Sequence, residues 1–231
     1  MQEYRIAQAF NGHAILILFK MIIDPNITTY IYSIEPEGDP GLEALRSYAE
    51  EKNVPVIRRE MEPFMRVLLR TVHPGKILEI GTGIGYSALF MDSCLDHTDI
   101  VTIENYEPRL REAEKILEGH ANIKLVKEDA ANALKELEGP FDFIFLDAAK
   151  AQYISMLPDI RRLLPQGGIL LADNVLQDGE LIRSRYLTPR RQRTIHERMR
   201  EFIWEMKHSP DFETSLLTVG DGVILSIRKG A

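Results

Sequence analysis

The sequence has a single cysteine, no long apolar run and no excess of positive charge, and each of these shortages excludes a class of protein. Cys94 alone cannot form an intramolecular disulfide, so a reduced, cytoplasmic setting is expected, and its apolar surroundings predict a buried side chain. The apolar stretch at 14–19 is far shorter than the roughly 20 residues that span a bilayer, so we expect no membrane association. A formal net charge of −7 provides no global basic field for nucleic acid.

The six histidines are scattered without the spacing of metal ligands, which argues against a zinc site. A length of 231 residues, with 45% hydrophobic and 27% charged residues, is typical of one α/β domain with a substantial core. Residues 1–20 fit poorly with the pattern that follows them. We therefore expect an extension over residues 1–20 and a single domain over residues 21–231.

Three glycines at alternate positions interrupt the most regular stretch of the chain. Gly81, Gly83 and Gly85 follow the apolar run 77–80 and precede residues 86–91, whose apolar positions have helical spacing. This pattern predicts a buried strand, a tight loop and a helix whose free N–H groups face a nucleotide-like cofactor. The alternative is that the glycines serve packing alone.

Two acidic residues indicate which cofactor the loop binds. The glycine spacing is G-x-G-x-G, whereas dinucleotide sites have G-x-G-x-x-G. Glu79 lies just before the loop, and Glu104 ends the next predicted strand, where an acid can accept hydrogen bonds from ribose hydroxyls. Carboxylates suit a cationic cofactor better than a pyrophosphate.

The rest of the chain alternates between strand and helix patterns. Alternation of this kind predicts a parallel sheet with right-handed crossovers, and Gly220-Asp221-Gly222 between two apolar runs predicts a final hairpin. The fold class is therefore α/β: a Rossmann-like, doubly wound, seven-stranded sheet, mostly parallel, with an antiparallel C-terminal hairpin and N-terminal helices. Strands are predicted at 77–80, 100–104, 123–127, 141–147, 168–172, 215–219 and 223–227, and helices at 27–34, 41–53, 61–72, 107–119, 130–138 and 153–164.

Oxygen-bearing side chains end two of the predicted strands. Asp147 follows one buried run, and Asp173 and Asn174 follow another. The carboxyl ends of these strands meet in the ligand crevice of a doubly wound sheet, so the three side chains converge and suit Mg²⁺. A helix N-cap is the alternative for any single one of them. Lys150 can reach over the same crevice and act as a base, or it can be a solvated surface lysine.

Several stretches together resemble the cation-dependent O-methyltransferases, which are class I S-adenosylmethionine enzymes that act on catechols and caffeoyl-coenzyme A. The resemblance covers residues 21 to 231 and is carried by LEIGTGIGYSALFM at 78–91, LDAAKAQY at 146–153 and LLADNVL at 170–176. With VPVI at 54–57 and VGDG at 219–222, the sequence is most similar to the bacterial tRNA 5-hydroxyuridine methyltransferases. The family loop often has another residue at the position of Gly83.

The resemblance implies roles for individual residues. Lys150 is the candidate base, and Asp147, Asp173 and Asn174 are the Mg²⁺ ligands. In this family Mg²⁺ would bind two neighbouring oxygens of the substrate, which favours the ionised hydroxyl and fixes its direction for methyl transfer. A catechol offers such a pair of oxygens, and so does 5-hydroxyuridine. The implied S-adenosylmethionine pocket consists of Ile57, Glu79, Gly81, Ser87, Glu104, Asp129, Ala130 and Asp147.

A basic segment at 181–207 bears on the choice of substrate. It contains eight arginines and lysines against three glutamates, in a chain that is acidic elsewhere. Such a patch next to a site indicates phosphate contact, and we assign Arg190, Arg191 and Arg193, expected just before a helix, to RNA binding. For Arg198 and Arg200 we favour a solvated helix face, and for Trp204 a packed side chain.

Three hypotheses remain at this point. The first is a Mg²⁺-dependent methyltransferase that converts 5-hydroxyuridine at the tRNA wobble position to 5-methoxyuridine. The second is a small-molecule catechol-type O-methyltransferase, and the third is a non-catalytic binding module. A homodimer is expected, since the N-terminal helices add apolar surface and the related families are commonly dimeric.

Overall fold

The structure is a computed structural model that describes residues 23–182, 184, 186 and 188–230. The expected extension over residues 1–20 lies outside the described residues, as do Arg183 and Arg185. Among the helices of the described part, none is long and apolar enough to cross a membrane.

A seven-stranded sheet forms the centre of the domain, with strand order β3-β2-β1-β4-β5-β7-β6. The first five strands are parallel, and β7 pairs antiparallel with both β5 and β6. The predicted fold class is confirmed, including the hairpin, in which Leu217 lies opposite Val223. The strands are β1 (Lys76–Ile80), β2 (Asp99–Glu104), β3 (Ile123–Lys127), β4 (Phe143–Leu146), β5 (Ile169–Ala172), β6 (Phe212–Leu217) and β7 (Val223–Arg228).

Local signals account for where several helices begin. Asp24 and Asp39 accept hydrogen bonds from N–H groups in the first turns of α1 and α2, and a proline occupies the first position of each helix. The helices are α1 (Pro25–Ile34), α2 (Pro40–Glu51), α3 (Met61–Val72), α4 (Tyr86–Cys94), α5 (Glu107–Ile116), α6 (Ala130–Glu136), α7 (Tyr153–Leu163) and α8 (Arg190–His208).

The core lies on both faces of the sheet. Along β1, Ile77 packs with α3 and α4, whereas Leu78 packs with α6, α7 and α8 on the opposite face. Both side chains are fully buried, as expected for a central parallel strand covered by helices on both sides. Cys94, at the end of α4, is 5% exposed, which confirms the buried position that its surroundings predict.

Two of the N-terminal helices, α2 and α3, pack against α4. The buried Arg46 of α2 donates hydrogen bonds to the carbonyl of Ile57 and to the hydroxyl of Tyr86, both at 3.0 Å. These contacts hold the segment 55–58 against the first turn of α4. Along α1, Ile27, Tyr30 and Ile34 remain exposed, and the homodimer stays a prediction.

The segment near α8 departs from two expectations. Arg190, Arg191 and Arg193 lie in the first turn of the helix rather than before it, because Pro189 has a helix-compatible φ of −53° and α8 begins directly after it. Trp204 is 65% exposed and stacks on the ring of His208, whereas the core side of α8 is formed by residues such as Phe202. Side chains two positions apart on a helix point about 200° away from each other. Because Phe202 faces the core, Trp204 faces solvent.

Candidate active site

The carboxyl ends of the parallel strands open into a cleft of about 1030 Å³. This is the edge at which ligands bind in doubly wound sheets. The segment 55–58 closes one side of the cleft, and Gln192 and Ile195 of α8 lie on its wall. Of the residues that the sequence predicts for the site, those that line this cleft are Ile57, Gly81, Ser87, Glu104, Asp129, Ala130, Asp147, Lys150, Asp173 and Asn174.

The glycine loop comes close to the backbone of β4. Gly81 has φ of +107°, and a Cβ atom there would lie 2.2 Å from the carbonyl oxygen of Asp147. Any side chain at position 81 would therefore separate β1 from the end of β4. Gly83, with φ of +56°, has no atom within 4 Å of a Cβ position, so only the left-handed backbone favours glycine there.

Glu79 lies beneath the glycine loop and is not among the residues that line the cleft, so its assignment to the cofactor pocket stays a prediction. The side chain is fully buried in β1 and accepts hydrogen bonds from the hydroxyls of Ser87 and Thr102. It therefore joins β1 to α4 and β2 beneath the loop. Burial raises the pKa of Glu79 to about 7, although the two hydroxyl donors act in the opposite direction.

We expect Glu79→Gln to remove part of the pH dependence of stability. The folded protein binds the Glu79 proton more tightly than the unfolded chain does, so the free energy of unfolding falls as the pH rises from about 4.5 to about 7. This loss is about 3 kcal/mol, and the variant should avoid it. Urea unfolding of the ligand-free protein at pH 5 and pH 8 measures the difference, with the exposed Glu118→Gln as control. An unchanged pH dependence in the Glu79 variant would contradict the prediction.

Glu104 and Asp129 lie at neighbouring strand ends on the other side of the loop. The Glu104 carboxylate accepts hydrogen bonds from the N–H groups of Gly83, Asn105 and Tyr106 at 2.9–3.0 Å. Asp129 caps α6 through the N–H of Ala131, and its second oxygen accepts from the side chain of Asn105. Both carboxylates also line the cleft, and the ribose contact of Glu104 stays a prediction.

Lys150 connects two of the three side chains that the sequence predicts to converge. Its Nζ lies 2.7 Å from Asp147 Oδ1, 2.6 Å from Asn174 Oδ1 and 3.1 Å from the Tyr153 hydroxyl. The Tyr153 hydroxyl is itself buried and donates to the carbonyls of Leu146 and Asp173. Lys150 is thus held inside the cleft and is not a solvated surface lysine.

Asp173 is the most buried acid of this group, at 2% exposure. The pKa of Asp173 is raised to about 7, mainly because the side chain is buried and secondly because the carboxylates of Asp147 and Asp221 lie nearby. The positive charge of Lys150 acts in the opposite direction. Asp221 was not among the predicted site residues, although it lies in the predicted hairpin turn. Its carboxylate is 7% exposed and accepts a hydrogen bond from Asn174 Nδ2.

The donor set fits a hard divalent cation. In the part of the chain that the structure describes, no three His, Cys, Asp or Glu residues are grouped to hold a metal ion. The predicted set is instead two carboxylates and one carboxamide, from Asp147, Asp173 and Asn174, which are oxygen ligands of the kind that Mg²⁺ takes. The carboxylates of Asp147, Asp173 and Asp221 repel one another, and Lys150 opposes this repulsion only in part. A bound cation would therefore stabilise their ionised forms.

Most of the arginines of α8 contact the protein itself. Arg193 Nε donates to the carbonyl of Thr188 at 3.0 Å, Arg198 to that of Ala151 at 3.2 Å, and Arg200 to that of Leu181 at 2.6 Å. These bonds attach α8 to the loops beside the cleft, so Arg198 and Arg200 are not simply a solvated face. Of the residues assigned to RNA, Arg190 and Arg191 are exposed and Arg193 is half-buried.

Comparison with known proteins identifies the family. Residues 33–229 match the family described as O-methyltransferase. The chain is 28% identical to caffeoyl-CoA O-methyltransferase 5 of Nicotiana tabacum, with 99% of each chain covered, and 29% identical to the caffeoyl-CoA O-methyltransferase of Petroselinum crispum, with 94% of each covered.

Solved structures agree with this match. The SAH-bound methyltransferase PaMTH1 of Podospora anserina has a TM-score of 0.79 at 26% identity, covering 89% of this chain and 95% of that one. An O-methyltransferase of Bacillus cereus in complex with SAH has a TM-score of 0.77 at 25% identity, covering 88% and 97%. The chain therefore belongs to the O-methyltransferase family, and it is an S-adenosylmethionine-dependent O-methyltransferase.

Proposed function

We propose that this protein methylates one hydroxyl of a small catechol-type diol in a Mg²⁺-dependent reaction. The observation that carries the proposal is that Lys150 bonds to Asp147 and Asn174, and that Asp173 lines the same cleft, which also contains the glycine loop. The curated relatives that cover nearly the whole chain are named for caffeoyl-CoA, which is a small-molecule substrate. That agreement favours a small diol over an RNA.

Each part of the reaction has a place in the cleft. Methyl transfer forms an oxygen–carbon bond, breaks the sulfur–carbon bond of the sulfonium and releases the proton of the attacking hydroxyl. When bound, S-adenosylmethionine would supply the methyl group, and Mg²⁺ would favour the ionised form of the attacking hydroxyl. The loop at Gly81 and the carboxylate of Glu104 would hold the cofactor, and Asp147, Asp173 and Asn174 would hold the metal.

We assign Lys150 as the base that receives the proton. Its three oxygen neighbours, at 2.6–3.1 Å, bind the ammonium form, which cannot accept a proton. To act as the base, Lys150 has to give up a proton and with it part of these contacts. We therefore assign Lys150 two states. As an ammonium it neutralises part of the charge of the carboxylates, and as an amine it takes the proton of the substrate.

The tRNA hydroxyuridine reaction is the second candidate, and one observation favours it. Arg190 and Arg191 are exposed in the first turn of α8, directly before Gln192, which lines the cleft. A phosphate backbone bound at these two arginines would lie next to the acceptor side of the site. The same metal-bound pair of oxygens would serve 5-hydroxyuridine through its 5-hydroxyl and O4.

One experiment compares the two substrates. We expect methylation of a small catechol with S-adenosylmethionine and Mg²⁺, and loss of that activity when EDTA removes the metal. Replacing Arg190 and Arg191 with Ala should leave the catechol reaction unchanged. As a charge-matched control, the exposed Arg111 and Lys115 of α5 are replaced with Ala.

The RNA reading makes a different prediction for the same variants. If tRNA carrying 5-hydroxyuridine is the substrate, the Arg190/Arg191 variant should lose tRNA affinity, and its logarithmic salt slope should become shallower by about one unit per lost phosphate contact. The α5 control should not change. Methylation of the tRNA without methylation of any catechol would overturn the small-molecule proposal.

A further inference from the structure

The side chain of Asn174 lies between a cation and an anion. Its Oδ1 accepts a hydrogen bond from Lys150 Nζ at 2.6 Å, and its Nδ2 donates to Asp221 Oδ1. Asn174 itself is in the left-handed region, with φ of +56°, at the end of β5. The direction of its carboxamide therefore decides whether this strand end offers the cleft an oxygen or an NH₂ group.

The two neighbours allow only one direction. An ammonium can only donate hydrogen bonds, and an ionised carboxylate can only accept them. Rotating the Asn174 carboxamide by 180° would place its NH₂ against Lys150 and its oxygen against Asp221, so both contacts would become repulsive. When Lys150 gives up its ammonium form or moves away, Asp221 is the neighbour that still holds the oxygen towards the cleft.

The hairpin turn at 219–222 is built against Asn174. The N–H of Val175 donates to the carbonyl of Gly222 at 2.9 Å, and the N–H of Leu176 donates to that of Asp221 at 3.1 Å. Gly222 has φ of +95°, and a Cβ atom there would lie 2.5 Å from Leu176. The turn is thus fixed against the chain after β5, and the Asp221 side chain is held against Asn174.

A second contact holds the far oxygen of Asp221. Arg58 Nη2 lies 3.8 Å from Asp221 Oδ2 and 2.5 Å from Asp178 Oδ1. Arg58, Asp178 and Asp221 all line the cleft. The Arg58 guanidinium thus places a positive charge beside the far oxygen of Asp221, while the near oxygen accepts the hydrogen bond from Asn174.

We propose that Asp221 is a positioning residue that orients the carboxamide of Asn174, so that its oxygen and not its nitrogen faces the cation site. This inference rests on the Mg²⁺ site of the proposed function. Groups that orient the ligands of a metal commonly change its affinity by about 10- to 100-fold when they are removed. Asp221 would act through Asn174 and would touch neither substrate nor cofactor.

Mn²⁺ binding to the protein without substrate tests the role. Free Mn²⁺ is measured by electron paramagnetic resonance, and S-adenosylmethionine affinity is measured separately by calorimetry. Asp221→Leu, which removes the acceptor, should weaken Mn²⁺ binding by about 10- to 100-fold. Asp221→Asn keeps an acceptor oxygen and should stay within about threefold of the wild type, and S-adenosylmethionine affinity should not change in either variant.

Asp178→Asn is the matched control for charge. It removes one carboxylate from the same cleft and the same arginine but does not touch Asn174. If Asp221→Asn weakened Mn²⁺ binding as much as Asp221→Leu while Asp178→Asn did not, charge at position 221 rather than orientation would matter, and the inference would be wrong. If the leucine variant failed to fold, Asp221→Ala, which adds no bulk to the turn, should show the same loss of at least about tenfold.

The failure of this inference can be distinguished from failure of the proposed function. Wild-type protein that bound no Mn²⁺ would overturn both the metal site and the inference built on it. Wild-type protein that bound Mn²⁺ with an Asp221→Leu variant of equal affinity would overturn the positioning role alone. A parallel loss of Mn²⁺ and S-adenosylmethionine affinity would show general damage to the cleft and would also contradict the role.

Discussion

Replacing Lys150 with Met should lower kcat by about 10²- to 10⁴-fold, the range that a positioned general base contributes. The side chain lies within 3.1 Å of Asp147, Asn174 and the Tyr153 hydroxyl, so it is inside the site and not beside it. The affinity for S-adenosylmethionine should stay the same, because the hydrogen bonds of Lys150 go to Asp147, Asn174 and Tyr153 and not to Glu104 or to the glycine loop itself. Steady-state kinetics with a small catechol and calorimetry with the cofactor measure the two effects.

Lys150→Arg separates the two states that we assign to this residue. Arginine keeps the positive charge between the carboxylates but does not give up its proton in proteins. We therefore expect this variant to fold and to bind cofactor, yet to be nearly as inactive as Lys150→Met. Near-normal activity of Lys150→Arg would show that Lys150 only balances charge. Lys135→Met, on the exposed end of α6, controls for loss of a lysine elsewhere.

Asp173→Asn should reduce turnover by about 10³-fold, because it removes one of the proposed carboxylate ligands of the metal. A metal ion contributes several kcal/mol to the stabilisation of charge in such reactions, and each 1.36 kcal/mol corresponds to a tenfold change in rate. The variant should bind S-adenosylmethionine normally, because Asp173 follows β5 and is separated from Glu104, at the end of β2, by β1 and β4. Kinetics over a range of Mg²⁺ concentrations, with calorimetry for the cofactor, measures both.

The same substitution should not destabilise the ligand-free protein. Asp173 is 2% exposed and lies near two other carboxylates, so losing its charge removes an unfavourable buried group. Thermal unfolding should show a midpoint at or above that of the wild type, with the exposed Asp96→Asn as control. Loss of cofactor binding in Asp173→Asn would mean that this residue belongs to the cofactor site.

Much of the fold follows from local patterns in the sequence. The helix predicted at 61–72 has the same bounds in the structure, and the strand at 123–127 does too. Gly81 and its neighbouring glycines mark the loop, and Gly220-Asp221-Gly222 marks the hairpin. These signals are local, since the spacing of apolar residues and the backbone freedom of glycine act within a few positions of the chain. For the same reason the convergence of Asp147 with Asp173 and Asn174 could be predicted from strand ends alone.

Positions that depend on other elements could not be predicted in this way. Glu79 reads as a pocket residue because it precedes the glycine loop, but β1 is covered on both faces, and its carboxylate is satisfied by Ser87 and Thr102. The arginines of α8 read as one basic patch, yet Arg200 and two others bond to backbone carbonyls of neighbouring loops. A count of charges does not reveal which of them fold back onto the protein.

The sequence by itself determined the order of the elements, the glycine loop and the acids at the strand ends, because short-range patterns encode each of them. Only the tertiary structure decided what surrounds Asn174. Asp221 is 47 positions away from it along the chain, and Arg58 is more than a hundred positions away. Asp221 meets Asn174 because β7 pairs antiparallel with β5 and brings the hairpin turn to the end of that strand, whereas Arg58 comes from the segment before α3. Contacts of this kind arise from strand pairing across the sheet, and no periodicity within one segment carries that information.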